Sequence, residues 1–256
     1  MNSRIELVSV SRTGTVQTGR TGGPDELEAW RLLLGTENLS YRTLSREMHT
    51  GQLQIDRIQE KTKALGPGCR AVVWFHGCSR GCPGCIAAEM NRSDEFDICS
   101  PQMLADRVCA LEGIEGITLS GGEPMDQPPE ALAEFLRQIR ARTDLSVMVY
   151  TGYLLDELKL MSDKSEILGM IDILVDGPYR QELDHGELWR GSSNQTIHML
   201  SDRYASLADG LPMRKGRPVE FDILQSGVLR FTGIPPRGFR GKLEAELNKK
   251  QFDIHW

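Results

Sequence analysis

The sequence lacks a long apolar segment, is poor in aromatic residues and carries no excess of positive charge. No run of apolar residues approaches the ~20 that a membrane-spanning helix needs, and the first residues, Met1–Leu7, lack the apolar core of a signal peptide. The 256 residues have a formal net charge of -6, which gives no electrostatic case for nucleic-acid binding. We therefore expect a cytoplasmic protein that has neither a membrane nor a nucleic acid as a partner.

Cysteine is the informative residue type in this chain. In a cytoplasmic protein, six cysteines indicate metal binding or catalysis rather than disulfides. Cys78, Cys82 and Cys85 form a C-x3-C-x2-C motif directly after the strand-like run Ala71–Gly77. A structural zinc site takes four protein ligands, and an ordinary [4Fe-4S] cluster takes four cysteines. Because this loop has no local fourth cysteine, one iron of such a cluster would stay open to another ligand.

A zinc site is the alternative interpretation of the same cysteines, with His76 or Cys69 as a distant fourth ligand. That interpretation leaves a second loop without an explanation. The loop is Gly-Gly-Glu-Pro at Gly121–Pro124, and it follows the short predicted strand Gly116–Ser120. Glycine has no Cβ, so it allows positive φ and lets backbone groups approach a ligand closely. The pair of motifs is therefore more specific than either motif alone.

With these two motifs the chain resembles the radical S-adenosylmethionine (SAM) superfamily. The resemblance implies a [4Fe-4S] cluster with SAM on its open iron, and a glycine-rich loop beside the methionyl amino group. The implied metal ligands are Cys78, Cys82 and Cys85, and the implied SAM-binding loop is Gly121, Gly122, Glu123 and Pro124. Glu123 has a second interpretation, because a carboxylate at this position can also cap the turn that follows it.

Four further segments resemble the anaerobic ribonucleotide reductase activating enzymes, which generate glycyl radicals. These segments are Leu65–Gly68, Val149–Tyr153, Asp172–Pro178 and Arg190–Gln195. Many radical SAM proteins carry an aromatic residue before the third cysteine, where this chain has Gly84. The Pro-Gly-Cys form is found in the activating-enzyme subgroup, so this departure favours that subgroup.

The same resemblance implies SAM contacts at the ends of the later strands. The predicted residues are Thr151, Asp176, Arg190, Ser192, Ser193 and Asn194. Related activating enzymes of the pyruvate formate-lyase type have a lysine near the SAM carboxylate, where this chain has Pro178. Arg190 is our candidate to replace it, because a guanidinium binds a carboxylate bidentately. Alternatively, Arg190 is a surface residue, Asp176 accepts backbone hydrogen bonds, and the serines and Asn194 shape a turn.

Strand and helix patterns alternate from residue 70 onward. The predicted strands are 71–76, 116–120, 145–151 and 172–176, and the predicted helices are 101–111, 129–142, 156–161 and 165–171. Ser100 is the expected N-cap of the first helix. This alternation implies a parallel sheet of the α/β class, and the resemblance implies a partial (β/α) barrel. Ligands bind at the carboxyl ends of such strands, where every motif lies.

Segments on either side of this alternation are expected to be extensions. We expect a partly irregular N-terminal extension at residues 1–60, a radical SAM core at 61–200 and a C-terminal appendage at 201–256. The first contains a predicted helix at 25–34. The last contains a predicted hairpin of strands 219–224 and 228–232 and a predicted helix at 241–250.

The resemblance implies an oxidoreductase that cleaves SAM reductively to a 5′-deoxyadenosyl radical. Its implied partners are a glycyl-radical enzyme, such as anaerobic ribonucleotide reductase, and an electron donor such as flavodoxin or ferredoxin. Hydrogen-atom abstraction needs no general acid or base, so no catalytic residue is expected beyond the cluster and SAM. One alternative is a radical SAM tailoring enzyme acting on a peptide or small metabolite, since both extensions are additional to the usual activating enzyme. The other is a non-catalytic iron–sulfur protein that binds a partner or nucleotide.

Overall fold

The computed structural model describes residues 51–91, 96–223 and 229–249. The predicted helix at 25–34, the irregular part of the N-terminal extension and the turn of the predicted hairpin lie outside these residues. Within them, no helix has both the length and the apolar character to cross a membrane.

A seven-stranded mixed sheet forms the centre of the described chain. Its strands are β1 (Leu53–Thr62), β2 (Arg70–Phe75), β3 (Asp97–Cys99), β4 (Gly116–Gly121), β5 (Ser146–Tyr150), β6 (Ile173–Asp176) and β7 (Thr196–Met199). Their order across the sheet is β3-β1-β2-β4-β5-β6-β7. Strands β2, β4, β5 and β6 are parallel, whereas β1 is antiparallel to β2 and β7 to β6.

The helices and a separate hairpin complete the described fold. The helices are α1 (Pro101–Cys109), α2 (Pro129–Arg142), α3 (Leu155–Leu160), α4 (Ser165–Gly169) and α5 (Phe239–Lys249). The hairpin pairs β8 (Val219–Ile223) with β9 (Leu229–Gly233) in antiparallel register. The predicted strand–helix alternation and the parallel sheet are confirmed, whereas closure into a partial barrel stays a prediction.

The edge strands β3 and β7, and β1 beside β3, were missing from the sequence prediction. In β1 only Leu53, Ile55 and Thr62 are buried, and the intervening residues are polar or partly exposed. A strand of this kind shows no sustained alternation, and its position depends on pairing with β2. It also runs across residue 60, where the N-terminal extension was expected to end.

Side chains alternate along each strand, so the two faces of the sheet pack against different parts of the protein. On β5, Val147 and Val149 join the main core with residues of α1 and α2, whereas Met148 joins a second cluster on the other face. Helix α1 begins as predicted, with the Ser100 hydroxyl accepting from the Met103 amide at 3.2 Å. Helices α1 and α2 therefore cover one face, and Trp189 and Leu211 pack against the other.

A buried arginine fixes the amino ends of the central strands. Arg70 is 0% exposed, and its guanidinium donates to Thr118 Oγ1 at 2.8 Å, Ser146 Oγ at 2.8 Å and Ile117 O at 2.6 Å. These bonds join β2, β4 and β5 at one edge. These bonds keep the three strands in register. Their carboxyl ends, and the loops that follow, therefore lie together at the opposite end of the strands.

Candidate functional site

A cavity of about 320 Å³ lies at the carboxyl ends of the parallel strands. As predicted, the loop after β2 and the loop after β4 meet there. The predicted site residues that line the cavity are Cys78, Cys82, Cys85, Gly121, Gly122, Glu123 and Thr151. We call the two loops, Cys78–Cys85 and Gly121–Glu123, the core wall of the cavity.

Backbone hydrogen bonds tie the two loops of the core wall together. The Gly122 amide donates to Phe75 O and the Glu123 amide donates to Gly77 O, each at 2.7 Å. Gly121 has φ +101°, and a Cβ there would lie 2.6 Å from the Phe75 backbone. The glycines are therefore required for close packing against the end of β2, in addition to any ligand they contact.

Glu123 is the buried charge at the centre of this region. Its carboxylate accepts from Thr151 Oγ1 at 2.7 Å, from the Gly152 amide at 2.7 Å and from the Met125 amide at 3.0 Å. The last bond caps a short 3-10 turn, so the capping interpretation is confirmed. Burial raises the pKa of Glu123 to about 7, although the three hydrogen bonds act in the opposite direction.

Asp126 holds the cysteine loop in place, and the sequence analysis missed it. Its carboxylate accepts from the Ser79 amide at 2.6 Å and from Tyr153 Oη at 2.7 Å. The Arg80 guanidinium lies over the Tyr153 ring, 4.5 Å from its centroid. Tyr153 ends the Val149–Tyr153 segment, so its place in a family-like motif was the available signal.

The three cysteine thiols are free, half-buried and close enough to influence one another. Burial raises the pKa of Cys78 and of Cys85, and the neighbouring Cys82 and Cys78 thiols raise the pKa of Cys85 further. Within the described residues, no three His, Cys, Asp or Glu side chains are arranged to hold a single metal ion. A [4Fe-4S] cluster differs because each thiolate binds a different iron, and three thiols on one loop beside one cavity fit that requirement.

The fourth ligands considered for zinc lie away from the three thiols. Cys69 precedes β2 and Cys78 follows it, so a six-residue strand separates them by about 20 Å. The His76 ring stacks on Phe96 with centroids 4.4 Å apart, and His76 is not among the described residues that line the cavity. Neither of these two candidates therefore lines the cavity with the three thiols.

Asp176 lies behind the cavity rather than in its lining. Its carboxylate is buried, accepts from the Leu155 amide at 2.8 Å and the Thr196 amide at 3.3 Å, and lies 2.9 Å from His198 Nε2. These contacts join the end of β6 to α3 and β7. A direct contact with SAM stays a prediction for this residue, as it does for the buried Pro124.

The Arg190–Gln195 loop reaches the cavity through Gly191 and Gln195. Gln195 accepts from the Gly191 amide at 2.7 Å and donates to Gly177 O at 2.8 Å. The predicted SAM-binding residues of this loop make contacts within the protein. Arg190 Nη1 donates to Gln195 O at 3.1 Å, and Ser192 Oγ accepts from the Arg180 amide at 3.1 Å. The Ser193 amide donates to Leu183 O at 2.8 Å, and Asn194 Nδ2 donates to Pro178 O at 2.8 Å. Their SAM contacts stay predictions.

The C-terminal appendage supplies the opposite side of the same cavity. Residues Gly233–Phe239, which we call the C-terminal wall, line it continuously. Arg217 connects this wall to the rest of the protein, and its side chain is 3% exposed. Its guanidinium lies 2.7 Å from Asp184 Oδ1 and 3.5 Å from Pro235 O, and it donates to Gly191 O at 2.8 Å. The sequence analysis gave no role to these residues.

The chain is similar to known proteins over its central part. The model of the 4Fe-4S single cluster domain family matches residues 64–198. An anaerobic ribonucleoside-triphosphate reductase-activating protein of Enterobacteria phage T4 is 31% identical over 159 residues, which are 59% of this chain and 96% of that protein. Its counterpart in Escherichia coli (strain K12) is 35% identical over 142 residues, 53% of this chain and 91% of that protein. The predicted resemblance to this group is confirmed.

One solved structure has a low overall similarity. QueE from Escherichia coli is 14% identical with a TM-score of 0.32, and the match covers 41% of this chain and 56% of that one. A likeness at this level carries no argument. The C-terminal wall lies beyond the residues that the family model matches.

Proposed function

Because the chain belongs to the 4Fe-4S single cluster domain family, we propose that it is a radical SAM oxidoreductase that activates a glycyl-radical enzyme. The observation that carries the proposal is the shared cavity, where three thiols and the Gly-Gly-Glu loop form one wall. The relatives named as activating proteins of anaerobic ribonucleoside-triphosphate reductase support a reductase of that class as the partner.

Cys78, Cys82 and Cys85 are the proposed cluster ligands, since they are the described thiols that line the cavity. These thiolates would hold a [4Fe-4S] cluster, which would supply the single electron that reductive cleavage of SAM to methionine and a 5′-deoxyadenosyl radical requires. The core wall orients the cofactor through Glu123, whose acceptors are already occupied by the Thr151 hydroxyl and two amides. These hydrogen bonds join the Gly121–Glu123 loop to the end of β5.

The proposed SAM site extends from the core wall toward the ends of β5 and β6. Gly121, Gly122 and Thr151 lie on the cavity surface, and the Arg190–Gln195 loop adds Gly191 and Gln195. Arg190, Asp176, Ser192, Ser193 and Asn194 are proposed to act at this site either by contact or by holding its loops. Glu123 faces the same space, and a carboxylate there attracts the positive charge of the amino and sulfonium groups.

A second candidate is a radical SAM tailoring enzyme that acts on a peptide or a small metabolite. The observation that favours it is the C-terminal wall, which lines the cavity from outside the family-matched residues. The C-terminal wall leaves less room for a large partner protein to enter the cavity. The two functions differ in the molecule that loses a hydrogen atom, so an experiment with the partner separates them.

The test uses the anaerobically reconstituted chain with SAM, a strong reductant and the anaerobic reductase from the same genome. Formation of 5′-deoxyadenosine separates both enzyme functions from a non-catalytic iron–sulfur protein. A glycyl radical on the reductase, seen as a doublet by electron paramagnetic resonance, is the expected result. Production of 5′-deoxyadenosine without a radical on the reductase would instead support the tailoring function, and neither product would refute both.

A further inference from the structure

Two buried polar atoms, each on a side chain that lines the cavity, lack hydrogen-bond partners within the described part of the chain. They are Nε1 of Trp74, on β2, and Oη of Tyr150, at the end of β5. Both residues line the cavity, and Trp74 is 7% exposed. Buried polar groups are nearly always paired because an unpaired one costs free energy. Two such atoms in one cavity therefore point to a ligand.

These two residues lie between the core wall and the C-terminal wall. Trp74 belongs to a small apolar cluster with Leu65, and Tyr150 and Ile234 pack against that cluster. Ile234 is part of the C-terminal wall. The two side chains are thus set among apolar side chains that include Ile234 of the C-terminal wall, on the face of the sheet opposite helices α1 and α2, and the Arg57 guanidinium lies over the Trp74 ring, 5.0 Å from its centroid.

Both atoms act as hydrogen-bond donors. An indole N–H can only donate. Burial raises the pKa of the Tyr150 phenol, although Arg70 and Arg217 act against this, so its hydroxyl keeps its proton at physiological pH. Two neutral donors among apolar side chains match a ligand that carries uncharged acceptors, and main-chain carbonyl oxygens have that chemistry.

We propose that Trp74 and Tyr150 bind main-chain carbonyl oxygens of the partner segment that carries the target glycine. The inference rests on the proposed function and adds to it the residues that recognise the substrate. An extended segment around a glycine offers carbonyl acceptors without a side chain at the reacting carbon. Ile234 and Pro235 of the C-terminal wall would then exclude bulkier residues from the same position.

The test removes each donor and keeps its ring, through Trp74→Phe and Tyr150→Phe. The substrate is the intact anaerobic reductase, and the readouts are glycyl-radical yield, the KM for the reductase and the KM for SAM. We expect the KM for the reductase to rise roughly three- to tenfold in each variant, since one neutral hydrogen bond is lost. The KM for SAM should change less. Calorimetric titration of the reductase without SAM should show the same weakening.

Thermal unfolding separates a role in binding from a role in stability. If the two donors stabilised the fold, removing them would lower the melting temperature. Because each variant removes an unpaired buried group, its melting temperature should stay the same or rise. Tyr204→Phe is the matched control, since its hydroxyl is paired with Ser146 Oγ at 2.9 Å and Tyr204 does not line the cavity. That variant should melt earlier and bind the reductase normally.

Three results would overturn the inference. An unchanged KM for the reductase in both variants, with normal radical yield in the wild type, removes the two residues from substrate recognition and leaves the proposed function intact. A selective rise in the KM for SAM assigns the two donors to the cofactor. A wild-type chain that forms 5′-deoxyadenosine but no glycyl radical removes the proposed function, and the inference with it.

Discussion

The two walls of the cavity are built in different ways. The core wall is held by backbone bonds from Gly122 and Glu123 to the end of β2, by the buried carboxylate of Glu123 and by the exposed carboxylate of Asp126. The C-terminal wall follows β9 and is attached through the buried Arg217 guanidinium and through Glu220 of β8, which accepts from Thr62 Oγ1 at 2.6 Å. The first lies within the family-matched residues 64–198, and the second lies outside them.

This difference separates two tasks. A wall fixed by many short bonds is suited to position a cofactor, because small displacements of a reacting group are costly. A wall attached through side-chain contacts such as those of Arg217 and Glu220 can differ between relatives without disturbing the cofactor site. We therefore propose that the core wall binds the cofactor and that the C-terminal wall selects the substrate.

The largest expected effect is on the core wall. Replacing Cys78, Cys82 and Cys85 together with alanine should abolish cluster binding, because their thiolates are the proposed iron ligands. Iron and sulfide measured after anaerobic reconstitution should fall from about four of each per chain to background. The matched control replaces the other three cysteines, Cys69, Cys99 and Cys109, and should keep its iron. Near-stoichiometric iron in the first variant would refute the assignment.

Removing the attachment of the C-terminal wall should have the next largest effect. Arg217→Ala leaves the Asp184 carboxylate buried without its partner, and loss of one member of a buried pair costs about 3–5 kcal/mol. Urea denaturation of the full chain measures this loss. Cluster content should be retained, because the core wall does not depend on Arg217.

Arg203→Ala is the control for that variant. Arg203 pairs with Asp144 at 3.5 Å on the surface, where an ion pair contributes little. Its loss should leave the unfolding midpoint unchanged. Equal midpoints for the two variants would show that Arg217 does not hold the C-terminal wall.

Glu123→Gln should change how stability depends on pH. Folding raises the pKa of Glu123 from 4.5 to about 7, so the folded state binds this proton more tightly than the unfolded state does. The free energy of unfolding is therefore highest where the acid is protonated, and it falls as pH rises through about 7. The difference between wild type and variant should shift by roughly 3 kcal/mol between pH 4 and 8. Denaturation of both proteins without SAM across that range is the measurement, and parallel curves would contradict a raised pKa.

The smallest expected effect concerns the loop between the two walls. If Arg190 binds the SAM carboxylate, Arg190→Ala should weaken SAM binding roughly ten- to a hundredfold, the equivalent of ~1.5–3 kcal/mol. Anaerobic calorimetry measures the affinity. Arg142→Ala, which removes an exposed pair with Asp106, is the control and should bind SAM normally. Wild-type affinity in the Arg190 variant would remove this residue from the site.

The core wall could be predicted from the sequence because its signals are local. Cysteine spacing, the Gly-Gly-Glu-Pro run and the Ser100–Pro101 helix start each depend on neighbours in the chain. Asp126 was missed because its role comes from contacts with Ser79 and Tyr153, which lie on other loops.

The C-terminal wall could not be predicted, although its hairpin strands and helix α5 were. Its position depends on Arg217 reaching Asp184 and Gly191, more than two dozen residues earlier, and no periodic pattern encodes such a pairing. Likewise, β7 has its place only through pairing with β6. Local sequence preference decides which segments become strands. Long-range contacts decide where those strands lie and whether the loops after them border the cavity.

The central claim is that this chain takes a hydrogen atom from a glycine of a partner enzyme. The most direct test uses the anaerobic reductase prepared with glycine deuterated at Cα, incubated with the reconstituted chain, SAM and reductant. We predict that mass spectrometry will find 5′-deoxyadenosine carrying a deuterium atom, together with a glycyl radical on the reductase. Undeuterated 5′-deoxyadenosine, formed at the same rate with and without the reductase, would contradict the claim.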